Sequence, residues 1–106
     1  MKFKLVAFVA IFTTHLSFAA DINCGGKVSW LMADHPACQG NVAFKTEATG
    51  GKNGKWMCTK SKEGSSVALA ALTANKNGEV YIEGGKAASC SGLPHYREIS
   101  YIIINP

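Results

Sequence analysis

The chain has 106 residues, 47% of them hydrophobic and 17% charged, with four cysteines and a formal net charge of +4. That is enough for one small domain and too apolar for an intrinsically disordered chain. Two of the positive charges are Lys2 and Lys4, at the extreme N-terminus. The rest of the chain carries nine basic residues against seven acidic ones, a balance of +2. Lys52, Lys55, Lys60 and Lys62 lie close in sequence, but Glu63 follows them and no arginine cluster exists. A nucleic-acid partner needs a denser basic stripe and is excluded from the expectations.

Taken in chain order, residues 1–19 read as a Sec-type signal peptide. Lys2 and Lys4 form the positive start, Leu5 to Phe12 the apolar run, and Ser17 and Ala19 the small residues before a cleavage site. The run is shorter than the roughly 20 residues a membrane span requires, and Thr13, Thr14 and His15 interrupt it. Residues 20–106 are therefore expected as one exported domain, periplasmic or secreted, with no membrane span after cleavage.

Short β-like segments follow. The first is Val28 to Ala33. Next comes Asn41 to Thr46, where Val42 and Phe44 fall on one face. The stretch GGKNG at 50–54 reads as a hairpin loop with positive φ at Asn53-Gly54. Lys55 to Lys60 is the third segment, with Trp56 and Cys58 on one face and Met57 and Thr59 on the other. Ser65 to Asn77 is rich in Ala and Leu and predicts a helix. Ser65 or Ser66 would cap its start and Asn77-Gly78 would stop it, with Val67, Leu69, Ala71, Leu72 and Ala74 as an apolar surface. Glu79 to Glu83 alternates with Val80 and Ile82 inward, and Glu98 to Asn105 is a β-branched strand apolar on both faces. The expected fold class is β-rich α+β, a small antiparallel barrel in the order β-β-β-α-β-β with two disulfides.

Cys24, Cys38, Cys58 and Cys90 are spaced 14, 20 and 32 residues apart. No close Cys pair of the zinc-site kind occurs, and an even count in a small exported chain reads as disulfides. Three connectivities are open. The pairing Cys24–Cys38 with Cys58–Cys90 is the expectation; it clips the N-terminus to the loop after the first strand and ties a central strand to a late loop. The stretch MADHPACQG, 32–40, gathers Asp34, His35 and Cys38. With Cys38 in a disulfide, Pro36 and Asp34 become turn formers and His35 alone keeps free chemistry.

Catalysis has little to build on. Ser89, Ser91 and His95 lie close together without a nucleophile-elbow pattern, and the carboxylates are scattered singly. A metal site from Asp34, His35 and His95 would require two distant loops to meet. Neither enzymatic activity nor a cofactor or metal is expected. Binding is better supplied. Trp30, Trp56, Tyr81, Tyr96 and Tyr101 offer five large amphipathic faces on which sugar rings stack. Strand positions favour core packing for Trp30 and Trp56, whereas Tyr96 and Arg97 in LPHYRE, 93–98, are expected in an exposed loop beside the last strand. The candidate ligand-binding residues are Tyr96, Arg97, His95, Tyr81 and Trp30.

In GKWMCTKSKEGSSVALAALTANKNGEVYIEG and REISYIIINP, a Cys-bearing strand, one Ala/Leu-rich helix and two closing strands succeed one another. This plan resembles the oligosaccharide/oligonucleotide-binding (OB) barrel of bacterial toxin B subunits, in particular the subtilase cytotoxin type, over about residues 55–106. The N-terminal half, with Cys24 and Cys38, departs from that pattern. The resemblance implies a five-stranded barrel, a ring of subunits and recognition of cell-surface glycans, but no glycan-binding residue carries over. The partner expected on this reading is a glycan, with self-association into a homo-oligomer. The alternative is a periplasmic factor that binds an envelope protein, such as an inhibitor of a cell-wall hydrolase.

Overall fold

The computed structural model describes residues 21–83 and 89–105. The expected leader, residues 1–19, and the Gly84-Gly85 turn lie outside the described residues. Among the described residues no helix is long and apolar enough to cross a membrane.

Among the described residues, seven strands and one α-helix form a small β-rich α+β domain. In chain order they are β1 (Ile22–Asn23), β2 (Gly26–Met32), β3 (Ala43–Thr46), β4 (Met57–Cys58), α1 (Lys62–Thr73), β5 (Asn77–Ile82), β6 (Arg97–Glu98) and β7 (Tyr101–Ile104). Antiparallel pairs join β2 to β3, β3 to β4, β5 to β7, and β5 to both β1 and β2. β4 pairs with β6 in parallel. The sheet is thus curled and mixed, where an all-antiparallel one was expected. The parallel pair arises because the last segment returns beside β4 after the α1–β5 excursion.

Alternation sets two faces. Val42, Phe44, Met57, Val80, Ile82 and Ile99 point inward, all less than a tenth exposed, and share one core with Cys24, Val28 and Leu93. α1 closes this core from β2 and β7, burying Ala68 and Ala71. Leu69, expected in the apolar surface, lies outward and is about half exposed. Small Ala residues on the packed face let the helix sit close to the sheet.

The helix begins earlier than Ser65. Ser61 is its N-cap, the side chain accepting from the Gly64 N–H at 3.1 Å. Ser65 does other work: its hydroxyl meets Thr59 Oγ1 at 2.7 Å, and the Val42 N–H donates to both oxygens at 3.2 Å. This buried hydroxyl pair fastens the first helical turn to the start of β3. The helix also ends sooner, at Thr73, and Asn77 opens β5 instead of stopping the helix.

Two further segments differ from expectation. In 50–54 the left-handed residues are Gly50 and Gly51, while Gly54 has φ −89°. Gly54 is required for closeness: a Cβ there would stand 1.9 Å from the Thr49 carbonyl oxygen. The final segment is two strands, because 97–98 pairs with β4 before 101–104 pairs with β5. Ile99 N–H still reaches the Cys58 carbonyl at 3.0 Å, and Ser100 N–H reaches that of Tyr81 at 2.8 Å.

The disulfides are Cys24–Cys90 and Cys38–Cys58, which corrects the expected Cys24–Cys38 and Cys58–Cys90. Their Cα atoms are 5.5 and 5.2 Å apart, within the usual reach of the bond. The sheet decides the partners. Cys24 is buried in the core between β1 and β2, with its N–H on the Val80 carbonyl, and faces the late loop. Cys58 is paired with Ala43 on the opposite, outer face, where the 34–41 loop brings Cys38.

Candidate functional site

The outer face of β2, β3 and β4 carries a strip of aromatic rings, and a register slip puts one of them there. Val28 pairs with Thr46, but Trp30 pairs with Lys45, so the ladder skips Ser29. An extra residue in one strand reverses every side chain beyond it. Val28 faces the core, Trp30 turns outward and is 46% exposed, and Leu31 returns to the core opposite Phe44. The core position expected for Trp30 is therefore overturned by the bulge. Its cross-strand partner Lys45 holds its ammonium 4.6 Å from the Trp56 ring centroid and donates to the Lys52 carbonyl at 2.8 Å.

Two loops extend the strip. In the first, His35 caps the short turn Pro36–Cys38, its Nδ1 accepting from the Ala37 N–H at 3.0 Å. Asp34, expected as the turn's cap, instead occupies the left-handed region at φ 57°. In the second, His95 Nδ1 accepts from the Trp56 N–H at 3.3 Å. Each neutral imidazole therefore carries its proton on Nε2. Tyr96 lies between them. Its ring stacks on His35 at 4.5 Å between centroids and stands 5.8 Å from His95.

Tyr96 also takes φ 65°, a left-handed conformation costly for a bulky residue. It is held there by the Tyr96 N–H on the Trp56 carbonyl at 2.7 Å, and by packing against the Cys38–Cys58 and Ala43 cluster with Met32 and Trp56. The backbone strain aims the ring across the disulfide instead of into solvent. Tyr96 is thus half-buried, where a freely exposed loop residue was expected.

A cleft of about 140 Å³ opens beside this ring, lined by Ala37, Cys38, Gln39, Cys58, Thr59, Tyr96 and Glu98. The disulfide and Ala37 are apolar. The Tyr96 hydroxyl, the Gln39 amide and the Glu98 carboxylate have no hydrogen-bond partner among the described residues. An apolar floor with a few convergent, uncommitted polar groups is the form of a ligand site. The cleft is smaller than the roughly 300–1,000 Å³ of sites that enclose drug-sized ligands, so it has room for about one ring.

A larger cleft, about 240 Å³, lies between the first turn of α1 and β7 and includes Val67, Ile99 and Ile102. Its two serines are already used: Ser61 caps the helix, and Ser100 Oγ accepts from the Glu83 N–H at 3.0 Å. Lys60, Glu63 and Tyr101 also line it, so it mixes apolar surface with charged and polar groups.

No protein-family model, curated protein or solved structure matches the chain. Function rests on the geometry.

Of the expected binding residues, the fold brings Trp30, His95 and Tyr96 to the outer face of the β2–β3–β4 sheet and its loops. It sends the other two elsewhere. Tyr81 stacks on Tyr101 at 4.9 Å, across the β5–β7 pair, and donates to Glu79 Oε1 at 2.7 Å. That hydrogen bond is the main reason the Tyr81 phenol is raised above its ordinary value, with desolvation and the Glu79 charge adding to it. Arg97 donates to the Glu83 carbonyl at 2.9 Å. Gln39 and Glu98 were missed as binding candidates, and Trp56, named among the stacking rings, was assigned to the core. For Glu98 the signal was legible in principle, since it stands two residues beyond Tyr96; Gln39 depends on a loop conformation, φ 57°, that no pattern announces.

The loops of His35 and His95 do meet, each ring beside Tyr96. Even so, no group of three or more His, Cys, Asp or Glu side chains able to hold a metal exists among the described residues. Ser89 accepts from the Gly92 N–H at 3.1 Å and lies 3.3 Å from the Ser91 hydroxyl. Neither serine hydrogen-bonds His95 among the described residues, so that stretch forms a turn and no nucleophile–base pair.

Proposed function

We propose that this is an exported, non-enzymatic binding module of the oligosaccharide/oligonucleotide-binding type, akin to toxin B subunits, that holds a glycan over the Tyr96 cleft. The barrel reading is supported by the circuit of pairings. From β2 it runs to β3, β4 and β6, through residues 97–104 to β7, then to β5 and back to β1 and β2, with α1 between β4 and β5. Barrels of this class bind along the second and third strands, between the loops that join strands one to two and four to five. In this chain those positions correspond to β3, β4, the 33–42 loop with His35, and the loop that ends in His95 and Tyr96. Export is supported by the leader pattern and by two disulfides.

The observation that carries the glycan reading is the Tyr96 ring, stacked on His35 and flanked by His95 and Trp56, lining a cleft with free hydroxyl, amide and carboxylate groups. Sugars need both halves of that arrangement: flat apolar faces for their C–H surfaces and polar groups for their hydroxyls. A glycan array on the exported protein tests it. Binding that Tyr96→Ala abolishes is the expected result; an array without hits removes the reading.

A second reading, a factor that docks an envelope protein, is favoured by one observation. Among the described residues β7 pairs only with β5, and its residues Tyr101 and Ile103 are exposed. A strand paired on one side accepts an added strand from a partner at its other edge. The same edge would serve self-association into the homo-oligomer that the toxin-like reading implies, and light scattering separates the two.

A further inference from the structure

The ionised groups around the Tyr96 cleft are arranged unequally. Arg97 and Glu98 are neighbours on β6, so their side chains leave opposite faces of the sheet. Arg97 is paired with the core residue Met57, and its guanidinium is spent on the Glu83 carbonyl. Glu98 is paired with Cys58, on the outer face, and lines the cleft. Lys45, the lysine within the aromatic strip, is 9% exposed and committed to the Trp56 ring and the Lys52 carbonyl. No lysine or arginine lines the cleft. The two imidazoles give up Nδ1 to backbone amides, and neither lines the cleft. A ligand there meets the Tyr96 ring and hydroxyl, the Gln39 amide and one uncompensated carboxylate.

An anionic sugar would therefore shed water without gaining a cation, and would approach a like charge. A sugar with a protonated amine would gain the partner that Glu98 lacks. We infer that the cleft selects amine-bearing sugars over neutral ones and turns away carboxylated and sulfated ones. This rests on the glycan-binding reading of the same site and names its ligand class.

The test uses three methyl glycosides of one ring skeleton, those of glucosamine, glucose and glucuronic acid. Each is titrated into the isotope-labelled exported protein at low salt, where a partly exposed charge is least screened. Amide shifts of Gln39, Thr59 and Tyr96 report binding. The expected order is glucosaminide, then glucoside about threefold weaker, as for one exposed charge pair, then glucuronide weaker still. Glu98→Gln should erase the amine preference, and Glu98→Lys should invert the order. The Glu98 side chain is exposed and makes no hydrogen bond among the described residues, so both variants should fold. Glucuronide binding as tight as glucoside, or an order that Glu98→Lys leaves unchanged, overturns the selectivity and leaves the glycan reading standing. If none of the three shifts those amides, the glycan reading of this cleft falls, and the selectivity with it.

Discussion

Tyr96 shows how one side chain can be named from sequence while its setting is hidden. A tyrosine after proline and histidine, in a loop, is a reasonable candidate for ligand contact. That it would adopt φ 65° and stack on a histidine 61 positions earlier depends on the Trp56 carbonyl and the Cys38–Cys58 bridge. The ring and its hydroxyl should then separate. Tyr96→Phe keeps the stacking and loses the one free hydroxyl of the cleft, so it should weaken glycan binding about tenfold, near the 1–1.5 kcal/mol of a lost neutral hydrogen bond. Tyr96→Ala should abolish it. Equal affinity of the Phe variant and the native protein, measured by calorimetry, would remove the hydroxyl from the site.

Tyr81 offers an independent check at the same scale. Its phenol donates to Glu79, and the neutral form is the one that the fold favours. Stability from this contact is complete below the ordinary phenol range and is lost as pH rises through the raised native value. Glu79→Gln should move the Tyr81 titration, followed by ultraviolet absorbance, down towards 10. A titration unchanged by that substitution would show that the carboxylate is not its cause.

The elements were legible where period and burial agree. Val42 and Phe44, and Val80 and Ile82, fall on the core face as alternation requires, because nothing interrupts those strands. Trp30 fails the same rule because a single skipped residue, Ser29, reverses the strand beyond it, and no local preference marks the bulge. The helix start was misplaced for a different reason. Ser61, Ser65 and Ser66 all suit an N-cap, and only the tertiary partner Thr59 draws Ser65 into the first turn. Ser61→Ala should cost about 1 kcal/mol through loss of the cap, and Ser65→Ala a comparable amount by leaving Thr59 with one partner fewer. Because these serines share one helical turn, the double variant should depart from the sum of the single effects in denaturant unfolding. Strict additivity would mean that the Ser61 cap and the Ser65 hydroxyl stabilise the helix start independently.

At the scale of the whole molecule, the two bridges lock different parts of the fold, and sequence spacing could not order them. Four evenly used cysteines leave three pairings, and nearness along the chain is a poor guide once a sheet is curled. Cys24 is separated by 66 residues from Cys90 yet joins it through the core, while Cys38 and Cys58, 20 apart, staple a loop to the outer face. The chain-entropy account assigns about 4 kcal/mol to the longer loop and about 3 kcal/mol to the shorter. Loss of Cys24–Cys90 should therefore destabilise the domain more. Loss of Cys38–Cys58 should spare more of the fold and still impair binding, because it removes the floor under Tyr96. Trypsin makes the pairing itself readable, since Lys27, Lys45, Lys55, Lys60, Lys86 and Arg97 separate all four cysteines. Without reduction, the peptide that ends at Lys27 should be joined to the one that ends at Arg97. The peptide 28–45 should be joined to 56–60. A peptide 28–45 found joined to the one that ends at Lys27 would restore the neighbour pairing, free the outer face of its staple, and leave the Tyr96 cleft without a reason to exist.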